Sequence, residues 1–129
     1  MTVNKDMNVL IVDDYSTMLR IIRNLLKQLG FNNVDEASDG RMALERINEK
    51  PYGLVISDWN MEPMTGLDLL KSIRQSAAGY KDIPFIMVTA ESKTENVIEA
   101  KKAGANNYVV KPFNAETLKS KMVSVIGEF

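Results

Sequence analysis

The sequence contains no cysteine and no histidine among its 129 residues. Without cysteine the chain can form no disulfide and no thiolate site, which fits a reducing compartment. Without histidine it cannot carry a histidine-based catalytic triad, a histidine metal site or a histidine general base. These two absences exclude several of the commonest catalytic and metal-binding sites.

Long hydrophobic runs and a strong charge of one sign are also missing. No apolar run approaches the roughly 20 residues that a membrane-spanning helix needs, and residues 1–6 are polar, unlike a signal peptide. The formal net charge of -1 provides no strong field toward nucleic acid or membrane surfaces. We therefore expect a cytoplasmic monomer of one domain, residues 1–129 with a core at about 8–127, without an output domain and without nucleic-acid or membrane partners.

Short apolar runs alternate with segments of helical periodicity along the whole chain. The runs have the length of buried strands and lie at 9–12, 34–37, 54–57, 85–88 and 108–110. Helical spacing of apolar residues follows them at 18–29, 41–48, 66–73, 95–103 and 115–125, with Ser16 as the expected cap of the first helix and Gly30 as its stop. This alternation predicts an α/β fold, a flavodoxin-like (βα)5 unit with helices on both faces of a parallel sheet in the order 2-1-3-4-5.

Polar residues follow four of these runs, at the point where each strand should end. They are Asp13-Asp14, Asp58, Thr89 and Lys111. Ligands of open α/β sheets bind beyond the carboxyl ends of the strands. The predicted order makes strands 1 and 3 neighbours, so three acids, a hydroxyl and a lysine should converge on one crevice.

Crowded carboxylates repel and raise one another's pKa, and a divalent cation relieves this repulsion. Mg²⁺ prefers oxygen ligands and usually keeps several waters. We expect one Mg²⁺ bound by Asp14, Asp58 and the backbone carbonyl of Asn60, with Asp13 acting mainly through water.

The same residues predict phosphoryl-transfer chemistry. Asp58 would attack a phosphoryl group as a carboxylate nucleophile. The Lys111 ammonium and the Thr89 hydroxyl would neutralise charge on the transferring oxygens. Asp58, Thr89 and Lys111 are therefore the candidate catalytic residues.

The ordered set of residues at the strand ends resembles the receiver domains of two-component signalling over the whole chain. Within that family the similarity is to single-domain chemotaxis regulators of the CheY type, through the run 58–61, Glu91 and Tyr108. The loop 61–66 departs from the family pattern, because Pro63 stands one place later than usual. The resemblance supports the strand order and implies a module, not an ordinary enzyme, that catalyses its own phosphorylation and dephosphorylation on Asp58.

The resemblance also implies partners and further residues. A histidine kinase would donate the phosphoryl group, and the phosphorylated form would bind a target in chemotaxis, a flagellar motor switch protein. Asn60 and Glu91 would tune the loss of the phosphoryl group. The switch and output residues would be Thr89, Val97, Tyr108 and Lys121.

The turn after the last strand predicts a cis Lys111-Pro112 bond. Lys111 must reach back into the site while the chain turns sharply into the next helix, and a cis peptide costs little only before proline.

Other interpretations remain open. The chain could be a free-standing receiver that serves as a phosphorelay intermediate or a phosphate sink. A remote alternative is a Mg²⁺-dependent aspartate-nucleophile phosphatase of the haloacid dehalogenase type, although its Asp-x-Asp pattern differs from the adjacent Asp13 and Asp14. Tyr108 could be rigid core, with the output face on the first helix.

Overall fold

Five parallel strands form one sheet in the computed structural model of the protein, which describes residues 3–76, 79–90 and 94–129. The strands are β1 (Val9–Val12), β2 (Val34–Ala37), β3 (Leu54–Asp58), β4 (Phe85–Thr89) and β5 (Asn107–Val110). Their order in the sheet is β2-β1-β3-β4-β5, and every neighbouring pair is parallel. The strand order predicted from the sequence is confirmed.

Five helices connect or follow these strands within the described residues. They are α1 (Ser16–Gln28), α2 (Gly40–Glu49), α3 (Gly66–Arg74), α4 (Thr94–Ala103) and α5 (Ala115–Ile126). Their bounds agree with the sequence-based expectation to within one or two residues. No helix in the described part of the chain combines the length and the apolar composition needed to cross a membrane.

The sheet separates two hydrophobic cores, which explains why its strands are apolar without alternation. On one face, β1 contributes Val9 and Ile11 to a core that also contains buried residues of α1 and α5. On the other face, Leu10 and Val12 join a core completed by α2, α3 and α4. All four β1 residues are fully buried because each face of the sheet is covered.

Helix α1 differs in two details from the sequence-based expectation. Tyr15 is its N-cap residue and Ser16 its first helical residue, so the prediction that Ser16 caps the helix was wrong. The Tyr15 backbone N–H donates instead to Asp13 Oδ1 at 2.9 Å. Ile21 is 43% exposed, because the helix meets the sheet along a narrower stripe formed by Leu19, Ile22 and Leu26.

Two backbone conformations that were predicted from the sequence are present in the structure. Gly30 follows α1 with a φ of 98°, a left-handed conformation that favours glycine, as predicted for the stop of this helix. The Lys111-Pro112 bond is cis, which confirms the prediction, and the Glu62-Pro63 bond is cis as well.

Gly66 holds the start of α3 against the end of β3. Its backbone N–H donates to the Trp59 carbonyl at 2.8 Å. A Cβ atom at this position would overlap the backbone carbonyl oxygen of Asp58. The close approach of helix and strand therefore requires glycine, and it fixes the backbone on which the Asp58 carboxylate is carried.

We expect Gly66→Ala to destabilise the protein by about 1–3 kcal/mol, because the added methyl group must displace backbone atoms. Gly79→Ala is the matched control, since a Cβ there has no heavy atom within 4 Å. That substitution should be neutral or slightly stabilising. Urea unfolding of both variants measures the difference, and equal stabilities would contradict this explanation of Gly66.

Candidate functional site

The carboxyl end of β1 directs Asp13 into the molecule. Asp13 is 1% exposed, and its backbone N–H donates to the Ala37 carbonyl at 3.1 Å, which extends the β1–β2 ladder by one residue. The bond from the Tyr15 N–H to Asp13 Oδ1 holds the carboxylate while the chain turns into α1. The next residue, Asp14, is exposed at the mouth of the crevice.

Asp58 is the last residue of β3 and is 6% exposed. The strand pairing places it opposite Val88 of β4, and the Trp59 N–H donates to the Val88 carbonyl at 2.9 Å. Thr89 ends β4 and is also 6% exposed. The neighbouring strands therefore end in a buried carboxylate and a buried hydroxyl.

Lys111 lies between the two buried acids. Its Nζ is 3.0 Å from Asp58 Oδ1 and 3.5 Å from Asp13 Oδ2. Its backbone N–H donates to the Thr89 carbonyl at 2.8 Å, which joins the end of β5 to the end of β4. The structure thus brings together the five residues predicted at the strand ends, Asp13, Asp14, Asp58, Thr89 and Lys111.

The electrostatics of this cluster are unbalanced. Burial raises the pKa of Asp58 and of Asp13, and the repulsion from a neighbouring carboxylate adds to it in both cases. Burial alone would lower the pKa of Lys111, but its hydrogen bonds and ion pairs with the two acids outweigh burial and raise it. Lys111 therefore stays charged, yet one ammonium cannot neutralise three carboxylates.

The donor set fits a hard divalent cation. One carboxylate oxygen from each of Asp13, Asp14 and Asp58 lies within 4.8 Å of the others. Asp14 and Asn60 also line an open cavity of about 400 Å³, which leaves room for an ion that retains water ligands. These oxygen donors and their excess negative charge suit Mg²⁺.

The predicted output residues lie on α4, β5 and α5. Tyr108 is half-buried against one of the two cores, and Lys121 Nζ lies 4.7 Å from the centroid of its ring. Val97 is half-buried on α4. Glu91, predicted to tune the loss of the phosphoryl group, lies outside the described residues.

Two residues at the site were missed from the sequence. Ser57 is fully buried, and its hydroxyl donates to the Asp58 carbonyl at 3.0 Å, which steadies the end of β3. Its signal was a polar residue inside an otherwise apolar run. Asn96 of α4 lines a small cavity together with Thr89. No feature of the sequence distinguished Asn96, because an asparagine on a helix usually faces solvent.

Comparisons with known proteins agree with this geometry. The family model described as response regulator receiver domain matches residues 9–123. The chemotaxis protein CheY-3 of Vibrio cholerae is 54% identical over 119 residues, covering 92% of this chain and 91% of that protein. The chemotaxis protein CheY of Pseudomonas aeruginosa is 50% identical and covers 92% of this chain and 95% of its own. The structure of chemotaxis protein CheY4 of Vibrio cholerae superposes with a TM-score of 0.86 at 37% identity, covering 93% and 98%.

We expect Mg²⁺ to change the fluorescence of Trp59, which directly follows Asp58 and is half-buried. Asp14→Asn removes one negative donor and should raise the half-saturating Mg²⁺ concentration by at least about tenfold, or 1.4 kcal/mol. Asp68→Asn is the control, because this exposed acid on α3 lies outside the acidic cluster. An Asp14→Asn titration that matches the wild type would place the metal elsewhere.

Proposed function

This chain belongs to the response regulator receiver family, and from that premise we propose that it is a phosphorylation-activated switch of two-component signalling in chemotaxis. Asp58 accepts a phosphoryl group from a histidine kinase, and the phosphorylated form binds a target, a flagellar motor switch protein. The observation that carries this proposal is the contact of a buried carboxylate, Asp58, with the half-buried ammonium of Lys111 at 3.0 Å. An acid held in this way is both a nucleophile and a place where phosphoryl charge is compensated.

In the proposed transfer, an oxygen of Asp58 attacks the phosphorus of phosphohistidine on the kinase. The P–N bond breaks, and its electron pair leaves with the imidazole of the donor. Lys111 Nζ, already 3.0 Å from Asp58 Oδ1, neutralises charge on the phosphoryl oxygens. The Thr89 hydroxyl, at the end of the adjacent strand, donates to another of these oxygens.

A bound Mg²⁺ would add positive charge close to the transferring group. Asp14, Asp58 and the Asn60 carbonyl would hold it, and Asp13 would contribute through water. Asp13 is suited to this indirect role, because its Oδ1 is engaged by the Tyr15 N–H and its Oδ2 faces Lys111.

The remaining proposals concern the setting of this chemistry. We place the protein in the cytoplasm as a monomer, in which residues 1–129 act together as one receiver unit. Asn60 and Glu91 would influence the lifetime of the phosphoryl group. Nucleic acid and membrane surfaces are not proposed as partners, because the net charge is only -1.

We expect Asp58→Asn to fold and to lose phosphorylation by acetyl phosphate or by a kinase. Relief of the repulsion among the acids should keep this variant at least as stable as the wild type. Asp68→Asn, the same change at an exposed acid, should be phosphorylated normally. Intact-mass measurement reads out the added phosphate, and phosphate retained by Asp58→Asn would identify another acceptor.

The output face is proposed to consist of Val97, Tyr108 and Lys121. A half-buried valine, an aromatic ring and a cation suit an amphipathic acidic helix of the target. Phosphorylation would bias this face between two existing states, for which coupling energies are typically about 1–3 kcal/mol.

We expect Val97→Glu to weaken binding of a motor switch protein to the beryllofluoride-activated protein at least about tenfold, while phosphorylation of Asp58 continues. Arg20→Glu on α1 is the control. It is preferable to a change at Arg23, which pairs with Glu36 at 2.7 Å. Binding lost in Arg20→Glu but kept in Val97→Glu would move the output face to α1. Phosphoryl transfer onward to another histidine, without target binding, would favour the phosphorelay alternative.

A further inference from the structure

A small cavity adjoins the proposed phosphorylation site, and Asp14 is not among its described lining residues. Its volume is about 120 Å³, and its described lining consists of Trp59, Asn60, Thr89 and Asn96. Two amides and a hydroxyl give it donors and acceptors on several walls. Its size and polarity suit water, since a molecule in the liquid occupies about 30 Å³.

The walls of the cavity come from three parts of the fold. Trp59 and Asn60 follow Asp58 directly, and the Trp59 N–H is held by the Val88 carbonyl at 2.9 Å. Thr89 ends the neighbouring strand and is itself buried. Asn96 is half-buried on α4 and completes the described lining. Water in this space would therefore lie beside the group carried by Asp58.

The two cavities near Asp58 differ in the charge of the residues that line them. The larger one is lined by the exposed acid Asp14 and suits a cation. The smaller one has no acid among its described lining residues. Asn60 lines both cavities, whereas Asn96 lines only the smaller one. A neutral nucleophile such as water fits the second space without competing for the cation site.

We propose that Asn96 positions the water that hydrolyses the phosphoryl group on Asp58, an inference that rests on the function proposed above. The water oxygen forms a bond to phosphorus as the bond between phosphorus and the Asp58 oxygen breaks. Asp58 leaves as a carboxylate with the electron pair of that bond. Both protons of the water end on the released dihydrogen phosphate.

The reason for an amide at this position is geometric. An asparagine side chain both donates and accepts, so Asn96 and Asn60 can hold one water from two different elements of the fold. Fixing a nucleophile close to its target lowers the entropic part of the barrier. A single amide on the exposed loop would orient the water less well.

The test measures phosphoryl transfer and hydrolysis separately. Each variant is phosphorylated with phosphoramidate in Mg²⁺ and the uptake rate is recorded. The donor is then removed and inorganic phosphate release is followed. Asn96→Leu keeps the approximate size of the side chain and removes its hydrogen bonds. Asn96→Ser restores a group that donates and accepts. Glu99→Leu places the same leucine on an exposed position of α4 outside the cavity.

We expect Asn96→Leu to slow hydrolysis about tenfold while uptake changes less than twofold, and Asn96→Ser to recover most of the rate. Glu99→Leu should behave as the wild type, which controls for the effect of leucine on the helix. Unchanged hydrolysis in Asn96→Leu would overturn the assignment. An equal slowing of uptake and hydrolysis would also overturn it, because distortion of Asp58, Thr89 or Lys111 affects both steps. A wild-type protein that takes up no phosphate would instead overturn the proposed function.

Discussion

The burial of Asp13 and Asp58 beside a single lysine is the constraint on which the rest of the structure depends. Lys111 contacts both carboxylates, at 3.5 and 3.0 Å, but compensates only part of their charge once Asp14 is included. The cluster lies where strand ends meet, because the sheet order makes β1 and β3 neighbours and Lys111 directly follows β5. The uncompensated charge then provides the attraction for a cation.

The buried acids form a binding site, but their charges lower the stability of the fold at neutral pH. Burial raises the pKa of Asp13 and Asp58, so the folded state binds their protons more tightly than the unfolded chain. Their contribution to stability is therefore greatest below the ordinary carboxyl pKa and is lost as pH rises through the raised values. The raised pKa of Lys111 changes stability with the same sign but in a different pH range: it adds stability that is fully present at neutral pH and is lost only in strongly alkaline solution. The two hydrophobic cores must offset what the acids cost.

The parts of the molecule that could be predicted are those marked by a local sequence pattern that recurs along the chain. Four apolar runs ending in polar residues located Asp13, Asp14, Asp58, Thr89 and Lys111, because strand length and sheet order leave few ways to arrange them. Details that depend on packing between elements were not predictable. Ile21 fits the helical periodicity of α1 yet is exposed, since the angle between helix and sheet decides which flank is covered. Asn96 lines its cavity because of where α4 lies in the tertiary structure, a placement without a local sequence signal.

The position of Asn96 links the proposed hydrolysis of the phosphoryl group on Asp58 to the proposed binding of a target. Its neighbour Val97 belongs to the proposed output face, and consecutive residues of a helix point about 100° apart. One turn of α4 therefore carries both Asn96, which lines the cavity, and Val97 of the proposed output face. A partner that shifted this turn would alter how the proposed water is held. Because binding free energies are reciprocal between coupled sites, any arrangement of α4 that the phosphoryl group favours is also one that target binding favours. This reciprocity holds for affinities and not for rates, so target binding would change the lifetime of the phosphorylated state only through the position of Asn96.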